Sequence, residues 1–255
     1  MLELAGAPKG PIDVPESVYA ALADEGIPNP GLTPVWENSV GGLTFAVRRA
    51  TQAGDAAPEL FVKWNPLSSG ESLAAEADRL GWLAGIHPVP QIVALAATHE
   101  DEVLITHALP GVSAVDPRWQ ADPNVALRAL GTGLRQLHEL PVDDCPFDWG
   151  VRHRMISDGI ADDAVPEAPS IDQLVVCHGD PCAPNTLLDS TGAFLAHVDV
   201  ARVGAADRWA DLAVMTLSFE WNYTRYDERV FWDAYGVSPD AERIAYYRAL
   251  WNAGE

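Results

Sequence analysis

His178-Gly179-Asp180-Pro181-Cys182-Ala183-Pro184-Asn185, with Asp199 waiting beyond the apolar run Phe194 to Val198, is the densest signal in this chain. Short apolar runs lie on either side of it: Leu174 to Cys177 before, Thr186 to Leu188 and then Phe194 to Val198 after. Each reads as a strand bounded by turn residues, so the stretch is a loop held between strands. Turns favour Asp and Asn for their own sake, and any one of these residues alone would mark an ordinary polar loop. Asp180, Asn185 and Asp199 together, in that order, ask for a chemical reading.

Phosphoryl transfer from a nucleotide supplies one. It needs a carboxylate to orient the attacking hydroxyl and accept its proton, and hard oxygen ligands to hold magnesium against the phosphates. In protein kinases a loop aspartate takes the first role. An asparagine five positions later and an aspartate beyond the next hairpin take the second. Asp180, Asn185 and Asp199 have that order and approximate spacing. A lysine must also meet the phosphates, steadied by a glutamate. Lys63 closes the apolar run Leu60-Phe61-Val62, and Glu76 lies inside a helical stretch further on. Glu71 competes for the lysine, but it sits at the helix start, where its charge suits the dipole.

Outward from these residues the chain divides in two. Val14 to Gly26 reads as a short helix; Val35 to Asn38, Leu43 to Arg49 and Leu60 to Trp64 read as an antiparallel meander. A helix from Gly70 to about Ala84 carries Leu73, Ala77, Leu80 and Leu83 at helical spacing. Val89 to Ala97 and Glu102 to Thr106 return to strand character, and Ala108 to Asp116 looks like a linker. The expectation is a small α+β lobe over 1–107 and a second lobe over 108–255, with the linker at about 106–112 and a ligand cleft between them. The second lobe is mostly helical: Asp122 to Leu140, Asp207 to Glu220, Tyr226 to Tyr235 and Asp240 to Trp251, with the three short strands embedded.

Composition bounds the partners. The 255 residues carry 37 acids against 16 bases, a formal charge of −21. That field repels nucleic acid and anionic membranes and attracts cations. No stretch is apolar for the length of a membrane span and no secretory signal opens the chain. Three cysteines, Cys145, Cys177 and Cys182, make no disulfide framework and no usual zinc spacing, so the cytoplasm is expected.

The stretch from Cys177 to Asn185, then Asp199-Val200-Ala201-Arg202 through Asp207-Arg208-Trp209-Ala210-Asp211-Leu212-Ala213, resembles the signature of the aminoglycoside phosphotransferases. Cys145-Pro146-Phe147 and Ile244-Ala245-Tyr246-Tyr247-Arg248 extend the likeness over nearly the whole chain from about residue 35, closest to the branch acting on 3′ or 3″ hydroxyls. The resemblance implies a two-lobed protein-kinase-like α+β fold, with an antiparallel-sheet N-lobe and a mostly helical C-lobe. ATP (or GTP), magnesium and a cationic, aminoglycoside-like acceptor follow from it, as does antibiotic resistance. Asp180 would be the catalytic base, Asn185 and Asp199 the magnesium ligands, Lys63 and Glu76 the phosphate-binding pair. The resemblance places adenine on the backbone at Thr106 and Ala108, and the phosphates under the loop Ser39 to Gly42, with Gly41 and Gly42. Arg202 and Asp211 would brace the catalytic loop, Arg202 near the reacting phosphate, and His178 would serve as a structural hydrogen-bonder.

Three departures stand out. Ala201 occupies a position where the family has glycine, which matters only if that residue needs a positive φ. The chain between Phe147 and Leu174 is shorter than the family's helical insert. The acids that meet a polycationic sugar are thinned to Glu220 and Glu255, with Asp148 and Asp158 as loose candidates and Trp221, Tyr223 and Trp251 nearby. A kinase of another small alcohol is therefore the second reading, and a nucleotide-binding module without transfer the third. Protein kinase activity lacks its Ala-Pro-Glu segment.

Overall fold

The computed structural model describes residues 6–49 and 57–254, Arg49 by its backbone only. The chain forms an α+β fold of two compact units, Met1–Ala84 with Pro90–Leu109, and Gly85–Val89 with Pro110–Glu255. The second boundary lies two residues beyond the 107/108 division expected from sequence. The short segment 85–89 goes with the second unit because Pro88 accepts the His197 amide and His87 bonds the His197 ring.

In the first unit, α1 (Glu16–Asp24) precedes β1 (Pro30–Glu37), β2 (Leu43–Arg49) and β3 (Leu60–Pro66). Then come α2 (Leu73–Leu83), β4 (Ile92–Ala97) and β5 (Asp101–His107). The five strands form one antiparallel sheet in the order β1-β2-β3-β5-β4. β1 starts earlier than the Val35 to Asn38 expected, through Pro30 and Pro34. Its place at the sheet edge explains how, because an edge strand tolerates residues that cannot donate. The ladder slips between Pro34 and Trp36. β4, the other edge, begins at Ile92 rather than Val89, beyond Pro90. Val18 and Leu22 of α1 close the core over Phe45, Val47, Val62 and Ile105.

The Ser72 hydroxyl caps α2 by accepting the Ala75 amide at 3.2 Å, and Glu102 takes the Leu73 amide at 2.6 Å. The buried face of α2 holds Leu73, Glu76, Ala77, Leu80 and Leu83. Helical spacing therefore carries one carboxylate into the interior along with the leucines.

The second unit runs β6 (Val112–Ser113), α3 (Pro117–Ala121), α4 (Pro123–His138), α5 (Val151–Ser157), β7 (Leu174–Cys177), β8 (Thr186–Leu188), β9 (Phe194–His197), β10 (Gly204–Asp207), α6 (Trp209–Asn222), α7 (Arg229–Tyr235) and α8 (Ala241–Ala253). β6, β8 and β9 make a small sheet; β7 pairs with β10. Leu127, Leu130 and Leu134 of α4 pack with Leu212, Met215 and Phe219 of α6 and Phe231 of α7. Four short elements, β6, α3, α5 and β10, were not anticipated. Gly204-Ala205-Ala206-Asp207 has no β-branched residue, and it is a strand because β7 supplies the ladder. Asp207 ends that strand instead of opening α6, and its carboxylate accepts the Trp209 amide at 3.1 Å.

Candidate active site

β7 delivers the loop that begins at His178. Gly179 sits at φ 84°, and a Cβ there would lie 2.2 Å from the Arg202 carbonyl oxygen, so both backbone conformation and space demand glycine. Asp211, fully buried in α6, accepts the His178 amide at 2.5 Å and the Gly179 amide at 3.0 Å. His138 Nε2 lies 3.0 Å from the same carboxylate, and His138 Nδ1 lies 2.7 Å from the Tyr235 hydroxyl. One residue pair in α6 and α4 thus pins the loop where it leaves the strand. Seven residues along α6, the Ser218 hydroxyl accepts the Ala183 amide at 2.9 Å. Seven residues are two helical turns, so both anchors share a face.

The His178 tautomer follows from its neighbours. Nε2 lies 3.1 Å from the Val198 carbonyl, which can only accept, so Nε2 carries the hydrogen. Nδ1 is then bare and accepts the Asp180 amide at 3.3 Å. Both ring nitrogens are occupied in holding the backbone. The Asp180 carboxylate itself has one oxygen, Oδ1, buried without a hydrogen-bond partner. An acceptor kept dry and unanswered is what a residue needs if its partner is an incoming hydroxyl.

Asn185 Nδ2 donates to the Asp180 carbonyl at 3.0 Å, which leaves Oδ1 as the ligand end of the amide. Asp199 follows β9 with φ 60°, the one non-glycine residue with positive φ among those described. Aspartate tolerates that region better than most residues, and strain of this kind gathers at functional positions. Ala201 therefore has no need of glycine: the left-handed position is Asp199. An amide oxygen and a carboxylate are the hard donors magnesium prefers, so these two residues fit that ion.

His138, Cys177 and Asp211 also bring possible ligand atoms within 4.8 Å of one another. Their atoms are already engaged: Asp211 by two amides, His138 by Tyr235, and Cys177 Sγ by the Asp207 carbonyl at 3.4 Å. Burial, with the charges of Asp211 and Asp207, pushes the Cys177 thiol well above its ordinary range. This is a structural knot rather than a metal centre.

In the first unit, Lys63 Nζ bonds both oxygens of Glu76, at 2.7 and 2.8 Å. Glu71 instead accepts from Asn38 Nδ2 at 3.0 Å. The loop containing Ser39 and Gly41 is a turn organised by Asn38, whose Oδ1 accepts the Val40 amide at 3.2 Å and the Gly42 amide at 2.5 Å. Those two amides are thereby committed. Thr106 lies in β5 opposite Phe61, and the Ala108 amide donates to the Glu59 carbonyl at 2.9 Å.

The acceptor residues expected from sequence are scattered in use. Glu220 is paired with Arg248 at 2.8 Å, Asp148 accepts the Gly150 amide at 2.7 Å, and Asp158 accepts the Ser157 hydroxyl at 2.8 Å. Trp221 is 46% exposed, whereas Trp251 is buried and Tyr223 is buried with its hydroxyl on the Ala114 carbonyl at 3.0 Å. Glu255 lies outside the described residues. Sequence reading missed His138, Ser218, Trp149 and Arg154; only His138, a polar residue on the buried face of an apolar helix, carried a visible signal.

The chain matches the phosphotransferase enzyme family over residues 39–247. An aminoglycoside 3′-phosphotransferase of Streptomyces fradiae is 35% identical over 240 residues, covering 80% of this chain and 89% of that one. Streptomycin 3″-kinase of Streptomyces griseus is 32% identical over 88% of this chain and 96% of its own length. The crystal structure of an aminoglycoside-3′-phosphotransferase of type VIII superposes with a TM-score of 0.73 at 28% identity, covering 92% of this chain and 98% of that one. With the braced Asp180 loop and the Lys63–Glu76 pair, these similarities lead to one conclusion: the chain belongs to the phosphotransferase enzyme family.

Proposed function

We propose that this phosphotransferase moves the terminal phosphoryl group of ATP to a 3′ or 3″ hydroxyl of an aminoglycoside in the cytoplasm, with antibiotic resistance as the consequence. The observation that carries the reading is the Asp180 carboxylate, one oxygen buried and unanswered, on a loop whose preceding amides are locked by Asp211. Asp180 orients the acceptor hydroxyl and takes its proton. Lys63, steadied by Glu76, binds the nucleotide phosphates, and GTP is the alternative donor for the same groups. Asn185 and Asp199 would hold magnesium, which when bound supplies positive charge against the phosphates. Such catalysis is mainly positioning and electrostatic stabilisation. The charge of −21 suits a cationic acceptor and disfavours nucleic acid and anionic membranes as partners. Among the described residues no helix is long and apolar enough to cross a membrane.

A second reading, a different small alcohol as acceptor, is favoured by Glu220. Its carboxylate is already matched by Arg248, so it has less charge to offer an ammonium group. ADP release against kanamycin-type sugars, streptomycin, choline and macrolides, with mass spectrometry of products, separates the two. A phosphate-sized gain on an aminoglycoside, lost in Asp180→Asn, supports the first reading. Turnover only on another alcohol replaces it with the second.

A further inference from the structure

Four hydrogen-bond donors in one cluster of the second unit are buried without an acceptor: Nε and Nη1 of Arg154, and the indole Nε1 of Trp149 and of Trp251. Arg154, on α5, is only 2% exposed. Its guanidinium carbon lies 5.1 Å from the Trp149 ring centre and 5.8 Å from that of Trp251. Arg202, which is exposed, places its own guanidinium carbon 5.7 Å from each of the same two rings. Two cations therefore share two aromatic faces. Burial holds the Arg154 guanidinium below its ordinary pKa range, with the charge of Arg202 acting in the same direction and that of Asp158 against it.

Ring faces offset part of the desolvation of a cation. They offer little to its N–H groups, which are costly when buried unanswered. Neighbouring donors without an acceptor, carrying two positive charges, describe the mould of an oxyanion. A guanidinium donates along fixed directions that suit phosphate oxygens, here with the Asp158 and Asp211 carboxylates also acting on Arg154. The cluster also adjoins the catalytic loop. The backbone of Arg202 presses so closely on Gly179, the residue before Asp180, that no Cβ fits between them.

We propose that Arg154 and Arg202, framed by Trp149 and Trp251, form a binding site for a phosphate-sized oxyanion beside the catalytic loop, built from residues other than Lys63, Glu76, Asn185 and Asp199. The oxyanion has two sources: inorganic phosphate from solution, or the phosphoryl group newly placed on the acceptor. Only the second source rests on the function proposed above. Bound there, the oxyanion slows product departure and sets the sensitivity of turnover to phosphate.

The test is a titration of the purified chain with inorganic phosphate at constant ionic strength, without nucleotide or acceptor. Calorimetry and the arginine Nε–H resonances in nitrogen-15 spectra are the readouts. The expected result is one phosphate per chain and a shifted resonance that is missing in Arg154→Met. Arg154→Met weakens binding by about tenfold or more, and Arg202→Met, at an exposed position, by about threefold or more. Phosphate binding that is lost in Lys63→Met and kept in Arg154→Met belongs to the nucleotide-phosphate pair and overturns the site. Competition between phosphate and the phosphorylated sugar then identifies the acceptor's phosphoryl group as the ligand; binding without competition identifies free phosphate. Equal affinity in the native chain, Arg154→Met and Arg202→Met, or no binding at all, overturns the site. Because the titration contains no transfer step, its failure leaves the proposed activity untouched, and inactivity on aminoglycosides leaves the titration untouched.

Discussion

His138 and Asp211 meet at 3.0 Å between α4 and α6 with both side chains buried, and the carboxylate they share carries the first two amides of the catalytic loop. Asp211→Asn replaces one acceptor oxygen by a donor that faces another donor. Loss of about 3 kcal/mol in urea denaturation is expected, as for breaking a buried charged network, together with loss of transfer. An unchanged midpoint would show that the loop is held elsewhere.

Asp180→Asn behaves in the opposite way. Its buried Oδ1 has no partner to lose, so stability is unchanged while kcat falls by about 10²–10⁴-fold, the range for a positioned general base. Nucleotide affinity, measured by calorimetry with magnesium present, stays within a few-fold of native. A variant that also fails to bind ATP would remove Asp180 from the role of base.

The Lys63–Glu76 pair couples stability to binding. Lys63→Met leaves Glu76, 4% exposed, without its bonded cation, at a cost of about 1–3 kcal/mol after allowing for the partial exposure of Lys63. Adding Glu76→Gln should restore part of that loss, which a double-mutant cycle reads directly. Nucleotide binding stays lost in both variants.

His87 makes stability depend on pH. Burial lowers its pKa from 6.5 to about 4, so the folded chain keeps it neutral. Below pH 6.5 the unfolded chain binds a proton that the folded chain refuses, so stability falls as pH drops from 6.5 towards 4 and then levels off. The loss is on the order of 3 kcal/mol. Denaturation midpoints for His87→Gln should slope less steeply than native across that window, and parallel slopes would acquit His87.

The loop that carries Asp180 and Asn185, and the position of Asp199 after the next two strands, were legible because these residues stand close in sequence and short apolar strands fix their spacing. Lys63 and Glu76 were legible for a related reason, since a strand and a helix each have a period that points a side chain inward, although Lys63 lies in mid-strand rather than at the strand end the sequence suggested. Asp211 and Arg202 came from the resemblance, not from spacing. Arg154 and Trp149 could not be read at all. They sit on or beside a seven-residue helix with no apolar stripe, and only tertiary packing brings them to Arg202 and Trp251. β10 was invisible for the same reason, being a strand by virtue of its neighbour. The thinned acids were noticed in the sequence, but that Glu220 would be matched by Arg248 required the fold.

Helix α6 has a division of labour along its length. Asp211 and Ser218 fix the catalytic loop from one face, two turns apart, while Glu220 and Trp221 stand exposed at the final turn. A substitution at either exposed position leaves every bond to the loop in place. If the acceptor proposed above meets this end of α6, changes at Glu220 and Trp221 alter what is bound while the anchors of the Asp180 loop stay as they are.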